Sequence, residues 1–134
     1  MNNRLIIGDK RIFKHIVCND DFAKFNAGTV HKVCSTFALA KYIEWSSRLF
    51  ILEIKNDEEE GIGTMLHIDH KSPAFINEEL LFEATVKSID GNKLICDVLV
   101  SCKNRVVAKA QTGQKLLKKD RIKEIFSSLA DPKK

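Results

Sequence analysis

The spacing of apolar positions changes twice along the chain, and each change predicts a different element. Residues 11–18 have the character of a short strand, and residues 20–31 read as a loop punctuated by Gly28. From Thr36 to about Ile54 no glycine or proline interrupts a run containing Ala38, Leu39, Ala40, Lys41, Leu49 and Leu52, which predicts one long helix. Ser35 or Thr36 is its expected N-cap, because a hydroxyl there can accept a bond from a free helical amide. The acidic run at 57–60, closed by Gly61, is expected as a solvated loop. Beyond it the period becomes two. Phe82, Ala84 and Val86 alternate with Glu83, Thr85 and Lys87, and Leu94, Cys96, Val98 and Val100 repeat the pattern. Strands are predicted at 62–70, 80–89, 93–102 and 105–117. Asp90-Gly91 marks a hairpin, since glycine accepts the positive φ of a primed turn, and Lys103-Asn104 marks a weaker second one. Residues 119–130 read as a short amphipathic helix with Ile122, Ile125, Phe126 and Leu129 on one side. A strand, a long helix and an antiparallel meander is an α+β order.

Composition narrows the class. The chain has 134 residues, 44% apolar and 30% charged, which suits one independently folding domain over 1–134. No apolar run approaches the ~18 residues a membrane helix needs, and the apolar part of the N-terminus is too short for a secretory signal. Cys18, Cys34, Cys96 and Cys102 form no Cys-x-x-Cys pair and match neither a zinc site nor a disulfide framework. Reduced thiols in a cytoplasmic protein are the expectation, with Cys96 and Cys102 packed inside a strand pair. Residues 115–134 hold seven basic and three acidic side chains, so this stretch carries the whole net charge of +4. A basic helix or tail at about 118–134 follows. A solvated tail is its plainest reading; contact with the phosphates of a small ligand or of nucleic acid is the alternative, and no interleaving of aromatic and basic residues supports nucleic acid.

Two places could carry chemistry. In the strand ending at His70, alternation puts Leu66, Ile68 and His70 on one face and Met65, His67 and Asp69 on the other. The apolar pair should face the helix, which leaves the His70 imidazole at the end of an inward row. His67 and His70 would point to opposite faces, and no Cys or carboxylate cluster completes a ligand set, so no metal is expected. On the helix, Thr36, Ala40 and Glu44 form an i, i+4, i+8 row. Glu44, between Ile43 and Trp45, is expected near apolar surface, where burial raises a carboxyl pKa and improves it as a proton acceptor. The bland readings are a satisfied histidine and an exposed glutamate paired with Lys41 or Arg48. In a regular helix Thr36 and Glu44 stand ~12 Å apart along the axis and cannot bond directly. Either the helix entry bends, or His70 bridges them, or a neighbouring subunit supplies one of them.

Together, VCSTFALAKYIEWSS (33–47) and GIGTMLHIDHKSPA (61–74) resemble the fluoroacetyl-CoA thioesterase-like branch of the hotdog superfamily. That pattern is Ser/Ala-Thr before the helix, Glu eight residues on, Gly-Thr, five residues, His and x-x-Pro, met here by Thr36, Glu44, Gly63-Thr64, His70 and Pro73. The resemblance spans roughly 30–115. It implies a hotdog fold, in which an antiparallel sheet wraps a long helix, and a homodimer with its site at the subunit interface. It further implies hydrolysis of an acyl-CoA by Thr36, Glu44 and His70, with no cofactor, and a substrate-binding set of Gly63, Thr64, Phe37 and Gln114. The Gly63 amide is the candidate for holding the carbonyl oxygen, a strand bulge being its structural alternative. Departures are Phe37 where the family usually has proline, Asn77 where it has glycine, and Thr112 and Gln114 where its last strand often carries His and Arg. Selectivity for a fluorinated acyl group is not implied. A hotdog dehydratase or hydratase and a non-catalytic acyl-CoA-binding protein are the competing functions.

Overall fold

The computed structural model describes residues 5–25 and 28–130. Its centre is helix α1 (Thr36–Ile54), which begins where the Ser35 hydroxyl accepts the Ala38 amide at 3.0 Å. Leu39, Ile43, Phe50, Ile51 and Ile54 recur at helical spacing and are fully or almost fully buried. Between them Ser46 and Ser47 are also buried. They satisfy their hydroxyls within the helix, on the carbonyls of Ile43 at 2.7 Å and Glu44 at 3.0 Å.

The helix lies against a five-stranded antiparallel sheet, order β1-β5-β6-β7-β4, made by β1 (Lys10–Ile16), β4 (Glu59–His70), β5 (Glu79–Asp90), β6 (Lys93–Cys102) and β7 (Arg105–Lys118). Phe82, Ala84 and Val86, then Leu94, Cys96, Val98 and Val100, then Ala108, Ala110, Thr112, Gln114 and Leu116 form the inward rows. Gly91 (φ 60°) and Lys103 (φ 55°) make the two hairpin turns, and Asn77 (φ 68°) takes the left-handed conformation that asparagine tolerates. β4 starts at Glu59, so the acidic run is only partly loop.

One expected loop is not a loop. Within 20–31, expected as loop, the chain makes β2 (Phe22–Phe25) and the start of β3 (Gly28–Cys34), a separate ribbon with register shifts on both sides of Ala23. Too short to alternate clearly, it owes its pairing to contacts that periodicity does not encode. At the other end, α2 (Lys119–Ala130) is the expected amphipathic helix, but none of its residues is buried and Phe126 and Leu129 are exposed. Asp131, Lys133 and Lys134 of the basic stretch lie outside the described residues. No described helix is long and apolar enough to cross a membrane.

The geometry of β4 prepares a site. Residues directly opposed across an antiparallel pair share a face. Leu66, Ile68 and His70 oppose the buried Thr112, Ala110 and Ala108, and so look inward as expected, whereas upstream the inward partners of Leu116 and Gln114 are Gly61 and Gly63. The phase changes from odd to even because a bulge at Thr64 inserts one extra residue. Two glycines therefore stand beneath the helix where side chains would otherwise fill the space. A methyl at Gly61 would sit 2.8 Å from Ile51 Cγ2, which marks how closely helix and strand approach. Gly61→Ala is expected to destabilise the fold by ~1–3 kcal/mol in urea unfolding, the usual cost of overpacking; an unchanged midpoint would refute this close fit.

Candidate active site

His70 ends its inward row beside the start of α1, where its Nδ1 lies 2.9 Å from the Thr36 hydroxyl. The N-cap at Ser35 fixes the helix entry, and with it the Thr36 side chain, so the substitution of Phe37 for proline leaves the entry intact. The opposite ring nitrogen, Nε2, is buried and has no hydrogen-bond partner among the described residues. An imidazole with one nitrogen held by a hydroxyl and the other uncommitted has a fixed ring plane and one nitrogen free for an external group.

Glu44 stands elsewhere. Two turns along α1 from Thr36, it lines a cavity of about 460 Å³ between α1 and the β4–β7 pair. Phe13, Tyr42, Trp45 and Met65 supply apolar walls, Gly61 and Gly63 form one side, and Ser47, Thr112 and Gln114 form the floor. A Cβ at Gly63 would lie 3.9 Å from Glu44 Oε1, so the backbone there faces the carboxylate at close range. Glu44 is exposed in the single chain, not buried as its apolar neighbours suggested, and makes no ion pair with Lys41 or Arg48. Arg48 binds Glu60 at 3.1 Å, and the Lys41 ammonium sits over the Tyr42 ring.

The sequence-derived set thus falls in two separate places on the chain: Thr36 with His70, and Glu44 with Gly63 and Gln114. Gly63 and His70, seven residues apart on one strand, are separated by ~20 Å. Thr64, the bulged residue, is exposed on the strand and absent from the cavity lining. Phe37 is 85% exposed and lines a different depression, with Asp20, Phe22 and Lys24. Sequence reasoning missed Phe13, Tyr42, Trp45, Ser47 and Met65, which only tertiary packing brings together; the buried Ser46-Ser47 pair in an otherwise apolar helix face was the one available signal.

A polar knot, also unforeseen, supports Tyr42 from behind. The Asp21 carboxylate is buried and accepts the Tyr42 hydroxyl at 2.6 Å and the Cys18 amide at 3.0 Å, with His15 Nε2 at 2.6 Å. Burial works to raise the Asp21 carboxyl, but the hydrogen bonds from Tyr42, Cys18 and His15 outweigh it and hold it below the usual carboxylate range. Burial, reinforced by Asp21, raises the Tyr42 phenol, so this residue stays a hydrogen-bond donor. The His15 ring stacks on Tyr42 with centroids 3.9 Å apart. The thiols of Cys34 and Cys96 are each pushed up to about 12 by burial and are chemically quiet; Cys102 is buried, and Cys18 is exposed.

Comparison with known proteins gives a consistent result. The profile of a family described as FlK, fluoroacetyl-CoA-specific thioesterase, matches residues 17–120. No curated protein matches the chain in sequence. Among solved structures, a hypothetical protein of Thermus thermophilus described as a thioesterase superfamily member is 24% identical, covers 96% of this chain and 95% of its own, and superposes with a TM-score of 0.90. A hot-dog-like protein from Thermanaerovibrio acidaminovorans is 15% identical, with 91% and 90% covered and a TM-score of 0.83. A point variant of the thioesterase FlK in complex with fluoroacetate and CoA is 12% identical, with 88% and 99% covered and a TM-score of 0.80. These likenesses identify the architecture as the hotdog fold.

Proposed function

Because the chain belongs to the fluoroacetyl-CoA-specific thioesterase family, we propose that it hydrolyses an acyl-CoA thioester in a composite site formed by two copies of itself. The observation that carries this reading is the uncommitted, buried Nε2 of His70, held in place by Thr36 yet remote from the Glu44 cavity of its own chain. β4 is the edge of the sheet, twelve residues long, and Gly63 to His67 are exposed along it, including the apolar Met65 and Leu66. A long free edge with apolar residues invites pairing. Antiparallel pairing of two such edges about a two-fold axis near Leu66 and His67 brings the His70 end of one strand beside Gly63 of the other. The Thr36–His70 half-site of one subunit then completes the Glu44–Gly63 half-site of its partner, and the same contact covers the exposed carboxylate.

In this arrangement the thioester carbonyl lies against the Gly63 amide, where a hydrogen bond strengthens as the oxygen gains charge. Glu44 removes a proton from a water attacking the carbonyl carbon. As the tetrahedral intermediate collapses, the carbon–sulfur bond breaks and the thiolate takes a proton from Nε2 of the cationic His70 ring, which Thr36 orients through Nδ1; the proton held by Glu44 then returns to His70 through solvent and restores both groups. The products are a carboxylic acid and coenzyme A.

Thiol release from short acyl-CoA substrates, followed with a thiol reagent, is the expected activity, and Glu44→Ala and His70→Ala should each abolish it. Tight acyl-CoA binding with no release at any chain length would replace the hydrolase by a binding protein. Loss of enoyl-thioester absorbance without release would make it a hydratase. Light scattering should give a dimeric mass, and a monomer at micromolar concentration would defeat the composite site.

A further inference from the structure

The Glu44 cavity has an unusual division of chemistry: aromatic and apolar walls over a polar floor. On β7, Thr112 and Gln114 occupy successive inward positions and are 2% and 7% exposed. Their hydrogen-bonding capacity is only partly used. The Gln114 amide donates to the Ser47 hydroxyl at 3.3 Å, and Ser47 donates in turn to the Glu44 backbone carbonyl. That leaves the Gln114 Oε1 acceptor with no bond from any described residue, and Thr112 Oγ1 buried with no partner among the described residues beyond the weak Cys96 thiol it opposes across the ladder. A buried polar atom without a partner is costly, and its persistence at the floor of a cavity points to a ligand group that satisfies it.

The kind of group follows from the inventory. Gln114 Oε1 only accepts, and the threonine hydroxyl both donates and accepts, so the complementary substituent is a donor that also accepts, a hydroxyl. It is neutral, because the floor holds no cation: Arg48 is engaged by Glu60, and Lys41 rests on Tyr42 at the side. An acyl group with a bare alkyl end would leave both atoms unsatisfied in a site it had just dried. Resting on the acyl-CoA reading above, we infer that this cavity selects short acyl groups carrying a hydroxyl near the thioester, and that Thr112 and Gln114 are the residues that read it.

The test uses two uncleavable coenzyme A thioethers matched in length, one with a 2-oxopentyl chain and one with a 4-hydroxy-2-oxopentyl chain, titrated calorimetrically into the full chain. The hydroxylated compound should bind about tenfold more tightly, the worth of one or two buried hydrogen bonds. In Thr112→Val and Gln114→Met, which preserve volume, the ratio should fall to near one or reverse. Equal or weaker binding of the hydroxylated compound by the unaltered protein overturns the inference and needs no variant to do so. So does a preference that survives both substitutions together, or stronger binding of a 4-carboxy-2-oxobutyl thioether than of either. Failure of the hydrolase reading is distinguishable: a retained hydroxyl preference with no thiol released from 3-hydroxybutyryl-CoA leaves the ligand class standing and removes only the reaction.

Discussion

Glu44→Ala and His70→Ala, each inactive alone, are expected to regain activity when co-expressed. Removal of either group should lower turnover by about a thousandfold, within the range for a general acid or base. A mixed dimer then has one intact site, assembled from the Glu44 of the His70→Ala chain and the His70 of the Glu44→Ala chain, and one site lacking both. With random pairing half of the dimers are mixed, so about a quarter of the unaltered activity should return. A site contained in one chain would give no recovery, because every copy would lack one group. The experiment therefore separates the composite arrangement from any in which α1 bends to unite Thr36 and Glu44. The unbroken run of α1 from its cap at Ser35 to Ile54 speaks against such a break in the helix.

The second large effect is on stability. Asp21→Ala should cost ~2–4 kcal/mol, because it leaves the Tyr42 hydroxyl, the Cys18 amide and the His15 ring without the carboxylate that joins them. The pH dependence has a definite sign. Since the folded-state pKa of Asp21 is lowered, its contribution is fully present above the unfolded value near ~4 and is lost as pH falls through the lower folded value. Denaturant unfolding of the unaltered chain and of Asp21→Asn should thus differ by a constant amount from about pH 5 upward and converge below about pH 4. A difference that widened on acidification would mean that the hydrogen bonds do not favour the ionised form. Because Tyr42 also walls the Glu44 cavity, the alanine variant should lose ligand affinity along with stability.

What could be read from the sequence was whatever depends on near neighbours. The bounds of α1, the Ser35 cap, the strand alternation around Phe82 and Leu94, and the turns at Gly91 and Lys103 all follow from local patterning. The inward placement of His70 followed from counting in twos along β4, and the family resemblance brought Thr36 and Glu44 into view. That Thr36 and Glu44 stand apart followed from helix geometry, but that His70 joins Thr36 and does not bridge to Glu44 was not legible, because it depends on how β4 packs against α1. Nor was the Asp21 knot. It joins residues from β1, the turn that follows it and α1, each ordinary in its own segment, and their meeting is a property of packing. That Thr112 has only the weak Cys96 thiol for company is likewise invisible until its neighbours are in place.

The bulge at Thr64 has a genetic consequence. A strand has only two sides, and the extra residue at that point lets every residue on one flank keep the side that regular pairing through Thr64 would exchange. Loss of the codon would leave a strand of normal appearance, with its pairing to β7 restored to an even ladder. It would keep Gly61 opposite Leu116 and Gly63 opposite Gln114, both facing the hollow, whereas regular pairing with Thr64 retained would turn the two glycines toward solvent and drive the side chain of Ile62 into it. The binding face of this subunit is therefore encoded as much by a reading of odd and even as by the identity of any side chain within it.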